Sequence, residues 1–253
     1  MKTKIVDSKN NMKVVITLCT YNESENLPRM LKELRTVLPE GDILVIDDDS
    51  PDGTGEIADK MAIADAHIHV LHRKEERGLG SATLKAFQVS LEGDYDLLVN
   101  LDADFSHPAR YIPELIEALQ ASQADVAIGS RYIQGGKIIG WPLKRHLMSR
   151  CINIWSRLFL GLKVRDCSGS YRCYRCSMLK KVDFNRFRSQ GYSVQEELLY
   201  RCAQVGAKIV ESPIVFEERR VGESKINMKE AFRAVYVILR CGLERFRKTN
   251  SRD

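Results

Sequence analysis

The feature that most constrains the fold is the regular alternation of short apolar segments with amphipathic ones over the first half of the chain. Val14–Leu18 and Ile43–Ile46 are apolar and rich in β-branched residues, as expected for buried strands. Residues 26–38 between them place leucines at helical spacing. The same analysis predicts helices over 55–63, 81–91 and 111–121 and strands over 68–71, 95–101 and 125–129. Such alternation indicates an α/β fold with a mainly parallel sheet covered by helices on both faces.

Polar clusters follow three of the predicted strands. Thr20–Glu23, Asp47–Asp49 and Asp102–Asp104 each lie where a strand ends. The carboxyl ends of parallel strands meet at one edge of a sheet, and ligands of such sheets bind in the crevice at that edge. The three clusters are therefore predicted to line a single ligand site.

Asp102 and Asp104 are the candidates for a metal site. Two carboxylates at positions i and i+2 beyond a buried strand can hold one Mg²⁺ or Mn²⁺ and leave room for phosphate oxygens. An Asp-x-Asp motif alone is more often a solvated turn. The other polar clusters at the same edge favour the metal interpretation.

Three further motifs are less specific. One carboxylate of the acidic segment Asp47–Gly53 could accept hydrogen bonds from a nucleotide base, while others cap the next helix. Gly78–Ser81 resembles part of a glycine-rich phosphate turn, but it lacks a third glycine, which disfavours a nicotinamide-dependent oxidoreductase. Cys173 and Cys176 lack the second pair of ligands that a structural zinc site needs, so we interpret them as buried side chains.

Charge is divided unevenly along the chain. The formal net charge is +5, yet residues 1–130 carry 13 Lys and Arg against 23 Asp and Glu, whereas residues 131–253 carry 26 against 11. The second half is therefore expected to meet anions, either phosphates or a lipid surface. Four of its basic residues are candidates for binding phosphates: Arg131, Arg219, Arg220 and Lys225.

Two basic amphipathic helices are predicted in the second half, one over Arg145–Leu162 and one in the C-terminal segment. Each could lie on an anionic membrane surface or pack its apolar stripe against the sheet. We predict one domain over residues 1–225 and a basic helical extension over 226–253. No apolar stretch approaches the roughly 18 residues of a transmembrane helix, and the N-terminal residues lack an apolar signal core, so a cytoplasmic location is expected.

Several segments taken together resemble the polyprenyl-phosphate glycosyltransferases of family 2, and most closely the dolichol-phosphate mannose synthases. The similarity runs from about Val14 to Lys225, and the motifs that carry it are Thr20–Glu23, Asp48–Thr54, Asp102–Pro108, Gly129–Tyr132, Gly140–Trp141, Arg165–Cys167, Gly191–Glu197 and Gly222–Lys225. The resemblance implies a GT-A nucleotide-sugar-binding fold. It also implies inverting transfer of a hexose to a polyprenyl phosphate, with Mg²⁺ or Mn²⁺ as cofactor.

The resemblance also implies roles for individual residues. Tyr21 and Glu23 would contact the nucleotide and Asp48 would read the base. The nucleotide-sugar site as a whole would comprise Cys19, Tyr21, Glu23, Ile46, Asp48, Asp102, Ala103, Asp104 and Arg131. The metal ligands would be Asp102, Asp104 and Ser106, and the catalytic set Asp104, Arg131, Arg219 and Lys225. Two departures stand out, since Cys19 replaces a proline of many members and Ser106 replaces a glutamine ligand of some, which leaves the third metal ligand open.

The expected reaction takes mannose from GDP-mannose, with a UDP-linked hexose such as glucose as the alternative donor. The implied partners are the nucleotide sugar, the polyprenyl phosphate and the cytoplasmic face of a membrane, with no nucleic acid, and a membrane-anchoring partner is left open. A non-catalytic module that binds anionic lipid through the basic half is the rival hypothesis. A phosphate monoester is largely a dianion near pH 7, so such an acceptor needs no strong general base.

Overall fold

The main sheet of this α/β protein has seven strands in the order β3-β2-β1-β4-β7-β5-β8. The structure is a computed structural model and describes residues 12–75, 77–189, 191–218 and 228–250. All strands of this sheet are parallel except β7, which runs antiparallel to both β4 and β5. The strands are β1 (Val14–Thr20), β2 (Asp42–Asp47), β3 (Ile68–His72), β4 (Leu97–Asn100), β5 (Val126–Ser130), β7 (Arg172–Arg175) and β8 (Ile209–Pro213), while β6 (Lys137–Ile139) pairs in parallel with β9 (Val215–Glu217).

Eight α-helices are seen in the described residues, and the larger ones cover both faces of the sheet. The predicted α/β class with a mainly parallel sheet is confirmed. Each helix and strand predicted between residues 14 and 129 is present, with ends that differ by at most two residues. The helices are α1 (Leu27–Val37), α2 (Thr54–Ala64), α3 (Leu79–Glu92), α4 (Ile112–Ala121), α5 (Leu143–Leu160), α6 (Cys176–Leu179), α7 (Val194–Gln204) and α8 (Met228–Asn250).

Two hydrophobic clusters lie on opposite faces of the sheet. Successive strand residues point to opposite faces, so Ile16 of β1 joins the cluster under α1 and α4, whereas Val15 joins the cluster under α3 and α7. Helix α8, predicted as part of a C-terminal extension, also contributes Val237 and Ile238 to the second cluster. This helix therefore packs into the body of the protein, while the predicted boundary at residue 225 lies outside the described residues.

Helices α5 and α8 pack side by side and leave apolar stripes exposed. They carry ten of the thirteen exposed large hydrophobic side chains of the described residues, five on each helix. We call these two rows the apolar stripes: Leu143, Leu147, Ile154, Trp155 and Leu158 on α5, and Phe232, Tyr236, Leu239, Leu243 and Phe246 on α8. Most of the stripe predicted for the Arg145–Leu162 helix thus faces away from the core, although Leu162 is buried, and on α5 the buried residues are Asn153, Ser156 and Leu160. No helix in the described part of the chain is both long and apolar enough to cross a bilayer.

Candidate active site

A cavity of about 970 Å³ lies at the carboxyl edge of the sheet, where the loops after β1, β2 and β4 meet. Its volume is at the upper end of the range for small-molecule sites. Each of these loops contains a non-glycine residue in the left-handed region, at Asn22 (φ 60°), Asp49 (φ 55°) and Phe105 (φ 63°). Such strained residues cluster where tertiary structure holds a loop in a defined shape, commonly at functional sites. We call this space the first cavity.

Asp48 organises one wall of the first cavity. Its carboxylate accepts hydrogen bonds from Arg73 Nη1 (2.7 Å) and from the backbone N–H of Gly78 (2.7 Å). Burial raises the pKa of Asp48, although both donors and the nearby Arg77 oppose this shift. Arg77 also pairs with Asp49. The loop after β3 is thereby fastened to the end of β2, so that the first turn of α3 borders the cavity.

Asp102 and Asp104 also line the first cavity. Asp104 is buried, and its Oδ1 accepts hydrogen bonds from the backbone N–H (3.0 Å) and hydroxyl (2.6 Å) of Ser106. The Asp102 side chain is one-third exposed (33%), and its Oδ1 accepts from the Ser170 hydroxyl (3.0 Å). His107 orients this turn because its Nδ1 accepts from the Asp102 N–H (3.3 Å), and burial lowers the pKa of His107. The two carboxylates are thus fixed in position, with Asp102 the more accessible.

A second cavity adjoins the first and shares Leu79, Asp102, Tyr192 and Glu230 with it. It lies between α5, the first turn of α7 and the N-terminal part of α8. Arg131 lines it, with its guanidinium held by the buried Asp166 through Nε (2.7 Å) and Nη2 (2.7 Å). Because Asp102 borders both cavities, one extended ligand can reach from one cavity into the other beside this carboxylate. Alternatively, two neighbouring ligands can meet there.

The structure gathers most of the predicted nucleotide-sugar residues around the first cavity, where seven of them form part of the lining: Cys19, Tyr21, Glu23, Asp48, Asp102, Ala103 and Asp104. Ile46 is fully buried in the second hydrophobic cluster and does not reach the cavity. Ser106 and Arg131 line the second cavity instead. Arg219 and Lys225 of the predicted catalytic set lie outside the described residues.

Sequence reasoning missed several residues that border the cavities. Arg77 comes from the loop after β3 and Leu79 begins α3, and the Gly78–Ser81 motif was the only local signal for them. Tyr192 and Glu230 link the segment before α7 to α8, since Glu230 Oε2 accepts from the Tyr192 N–H (3.2 Å), and both residues line both cavities. The Gly191–Glu197 motif contains Tyr192, but no local pattern could have paired it with Glu230, because the two residues lie on separate elements.

The donor set at Asp102 and Asp104 fits a divalent cation that binds together with a phosphate ligand. Among the described residues, no group of three or more His, Cys, Asp or Glu side chains is placed to hold a metal ion. Two carboxylates with water and substrate oxygens are the usual environment of Mg²⁺ in nucleotide-dependent sites. Ser106, the third predicted metal ligand, lines the second cavity and donates its hydroxyl to Asp104 Oδ1, which helps to hold that carboxylate in position.

The comparisons with known proteins agree on one family. Residues 15–183 match the family model described as glycosyl transferase family 2. An undecaprenyl-phosphate mannosyltransferase of Micrococcus luteus is 44% identical over 92% of this chain and 95% of its own length. A polyprenol monophosphomannose synthase of Mycolicibacterium smegmatis is 40% identical over 91% of this chain and 87% of its own. A dolichol-phosphate mannosyltransferase of Pyrococcus furiosus is 36% identical over 87% of this chain, but over only 61% of its own length.

Solved structures show the same fold in more distant proteins. Glucosyl-3-phosphoglycerate synthase of Mycobacterium tuberculosis in complex with UDP aligns with a TM-score of 0.65, over 91% of this chain and 80% of that chain, at 16% identity. The same enzyme with Mn²⁺, UDP and glucosyl-3-phosphoglycerate aligns with a TM-score of 0.64 over the same shares, also at 16% identity. At this level of identity the likeness concerns the fold alone.

Proposed function

Because the chain belongs to glycosyl transferase family 2, we propose that it is a glycosyltransferase that moves mannose from a nucleotide sugar to a polyprenyl phosphate. The fold is the GT-A type, with a mainly parallel mixed sheet. The similarity to three polyprenyl-phosphate mannosyltransferases, at 36–44% identity, is the observation that carries the substrate assignment. GDP-mannose is the donor that we propose, and a UDP-linked hexose is the alternative.

The two adjoining cavities support this assignment. We place the nucleotide in the first cavity, against Tyr21, Glu23 and Asp48, and its diphosphate beside Asp102 and Asp104. The transferred sugar and the acceptor phosphate then meet in the second cavity, which begins at the same Asp102. Attack on the sugar from the side opposite the departing diphosphate inverts its configuration. Holding both reactants in line supplies much of the catalysis expected here.

The acceptor needs little activation by the protein. The second pKa of a phosphate monoester is about 6, so most of it is a dianionic nucleophile near pH 7. The leaving diphosphate needs more help, because negative charge develops on it as the sugar departs. Asp102 and Asp104 would hold a divalent cation, which would stabilise the charge on this diphosphate, and Mg²⁺ and Mn²⁺ both suit the donor set.

The apolar stripes support contact with a membrane. Lys144, Arg150 and Arg157 are exposed on α5 beside its stripe, and a helix of this kind binds at the surface of an anionic bilayer. Met148 and Ile152 of α5 and Ala234 of α8 line the second cavity. The helices proposed to touch the membrane therefore also border the cavity proposed for the lipid phosphate, so the acceptor could enter without leaving the bilayer.

A donor panel tests this function. Undecaprenyl phosphate in detergent is incubated with radiolabelled GDP-mannose, GDP-glucose, UDP-glucose or UDP-galactose and with Mg²⁺ or Mn²⁺, and label is counted in the organic phase. We expect label from GDP-mannose and none after chelation of the metal. Label from a UDP-sugar alone would replace the proposed donor, and no transfer from any donor would contradict the function.

The same assay tests Asp104. The Asp104→Asn variant keeps the size of the side chain but removes its charge, and we expect it to lose transfer by a factor of at least about 100, as happens when an electrostatic stabiliser of a transition state is lost. The control is Asp94→Asn, a change of the same kind at an exposed aspartate that pairs with Lys13. Full activity in Asp104→Asn would remove Asp104 from the proposed metal site.

A further inference from the structure

The first turn of α7 carries buried polar groups that the protein itself leaves without hydrogen bonds. Gln195 and Glu196 are only 2% and 3% exposed, and both line the second cavity. Among the described residues, Gln195 Oε1, Gln195 Nε2 and Glu196 Oε2 have no hydrogen-bond partner. Buried polar groups are normally paired, since each unpaired one costs about 1–3 kcal/mol. An arrangement of this kind persists in a cavity when a ligand supplies the missing partners.

The surroundings hold this turn rigidly in place. Arg172 is fully buried and donates from Nη1 to the backbone carbonyl of Gln195 (2.8 Å) and from Nη2 to that of Cys167 (2.6 Å). The neighbouring Glu197 is engaged elsewhere, because it accepts from Arg201 Nη2 (2.8 Å) and from the Ser189 N–H (2.8 Å). The unpaired amide and carboxyl groups of Gln195 and Glu196 are therefore presented by a fixed scaffold.

A third unpaired group faces the same space. The indole Nε1 of Trp141 is buried without a hydrogen-bond partner, and Trp141 also lines the second cavity. Its ring is packed between Phe216 (5.2 Å between centroids) and Arg145 (4.1 Å from the guanidinium carbon to the ring centroid), so it cannot turn freely. The lining thus offers an indole donor, an amide donor and acceptor, and a carboxyl group within one cavity.

Hydroxyl groups match this combination better than phosphate does. A hydroxyl both donates and accepts, so several of them can satisfy the amide, the carboxyl and the indole together. A phosphate dianion only accepts, and the Glu196 carboxyl would meet it unfavourably unless protonated. The cavity begins at Asp102, beside which we place the diphosphate, so the group attached to that diphosphate is the one that reaches it.

We infer that Gln195 and Glu196, together with Trp141, bind the hydroxyl groups of the hexose of the donor and thereby select and orient it for transfer. This inference rests on the proposed function, because it assumes a nucleotide sugar in the first cavity. It assigns discrimination between sugars to the second half of the chain, whereas the nucleotide is held by the first half.

The test uses variants that keep side-chain size. Gln195→Met and Glu196→Gln are compared with the wild-type chain and with Gln88→Met, which changes an exposed glutamine on α3. For each protein, binding of GDP and of GDP-mannose in the presence of Mn²⁺ is measured by calorimetry, and kcat/KM for mannose transfer is measured with undecaprenyl phosphate. We expect both variants to bind GDP like the wild type but to lose kcat/KM by about 5- to 150-fold, as for a buried group left unpaired.

Deoxy donors make the test specific to hydroxyl groups. Suppose that Gln195 or Glu196 binds a particular hydroxyl of the sugar. The variant and the wild type then transfer the GDP-mannose analogue that lacks this hydroxyl equally well. A double-mutant cycle measures this coupling between side chain and hydroxyl. A variant that loses GDP binding and transfer to the same extent, or one that transfers GDP-mannose like the wild type, would overturn the inference. Failure of the wild-type chain to transfer mannose from any donor would instead contradict the proposed function.

Discussion

At the scale of single residues, Arg131 and Asp166 form a buried ion pair beside the second cavity. Burial opposes ionisation of Asp166, but the Arg131 guanidinium and its hydrogen bonds prevail and lower the pKa of that carboxyl. Three donors of Arg131 point at Asp166: the backbone N–H (3.0 Å), Nε (2.7 Å) and Nη2 (2.7 Å). Most of the hydrogen-bonding capacity of Arg131 is thus used within the protein, which a sequence motif cannot reveal.

Removing one partner of this pair should destabilise the fold strongly. We expect Asp166→Asn to lower the free energy of unfolding by about 3–5 kcal/mol, because an unpaired guanidinium would remain buried. The matched control is Asp49→Asn, whose partner Arg77 is half exposed (52%), and a surface pair of this kind contributes at most about 1 kcal/mol. Urea unfolding followed by circular dichroism checks both. Equal effects of the two substitutions would contradict a structural role for the buried pair.

The raised pKa of Glu196 predicts how the free energy of unfolding depends on pH. Burial raises its pKa from 4.5 to about 7, against the opposing influence of Arg172 and Arg131, while Asp166 adds to the shift. Between these two pKa values, the Glu196 carboxyl is protonated in the folded state and ionised in the unfolded state. The free energy of unfolding therefore falls as the pH rises through that window. We expect the wild type to lose up to about 3 kcal/mol relative to Glu196→Gln between pH 4 and pH 8.

Urea unfolding of both proteins across this pH range gives the comparison directly. Differences between wild type and variant cancel the contributions of the other titrating groups that the two proteins share. Parallel stability curves for the two proteins would show that Glu196 titrates normally and is not held in a low-dielectric cavity.

At the scale of helices and strands, the first half of the chain could be predicted because each strand there is apolar and each helix has one apolar face. In the second half, the amphipathic helices α5 and α8 give such a signal, whereas β7 and α7 do not. β7 has only four residues, Arg172–Arg175, and its two arginines hide a strand that is buried at three of its four positions. α7 buries Gln195, Glu196 and Glu197, so hydrophobic periodicity does not reveal it. Where polar residues are buried in a cavity lining or an ion pair, the apolar periodicity on which the prediction depends is absent.

The apolar stripes of helices α5 and α8 predict that the protein binds to membranes. We expect Leu147→Glu and Leu243→Glu each to weaken binding to vesicles of phosphatidylcholine and phosphatidylglycerol by at least about tenfold, since burying one leucine contributes about 1.5–3 kcal/mol. Ile63→Glu is the control, because Ile63 is even more exposed (88%) than Leu147 (64%) and Leu243 (61%) but lies on α2. Vesicle sedimentation measures the binding. The membrane assignment fails if all three variants bind alike.

At the scale of the whole molecule, the acidic and basic halves of the sequence contribute to different cavities. The acidic first half supplies Asp48, Asp102 and Asp104 to the first cavity, and elements of the basic second half supply most of the lining of the second. The sequence predicted that the loops after three strands converge, because parallel strands end at one edge. The second cavity could not be predicted, since α5, α7 and α8 reach it from positions far apart in the chain.

We propose that transfer depends most on Asp102 and Asp104 holding a divalent cation beside the diphosphate of the donor. Crystals grown with Mn²⁺ and GDP test this directly through an anomalous difference map recorded near the manganese absorption edge. We predict one strong peak coordinated by oxygens of Asp102, Asp104 and the diphosphate. Bound GDP with no manganese peak between these carboxylates, or with a peak held by other residues, would contradict the proposed metal site.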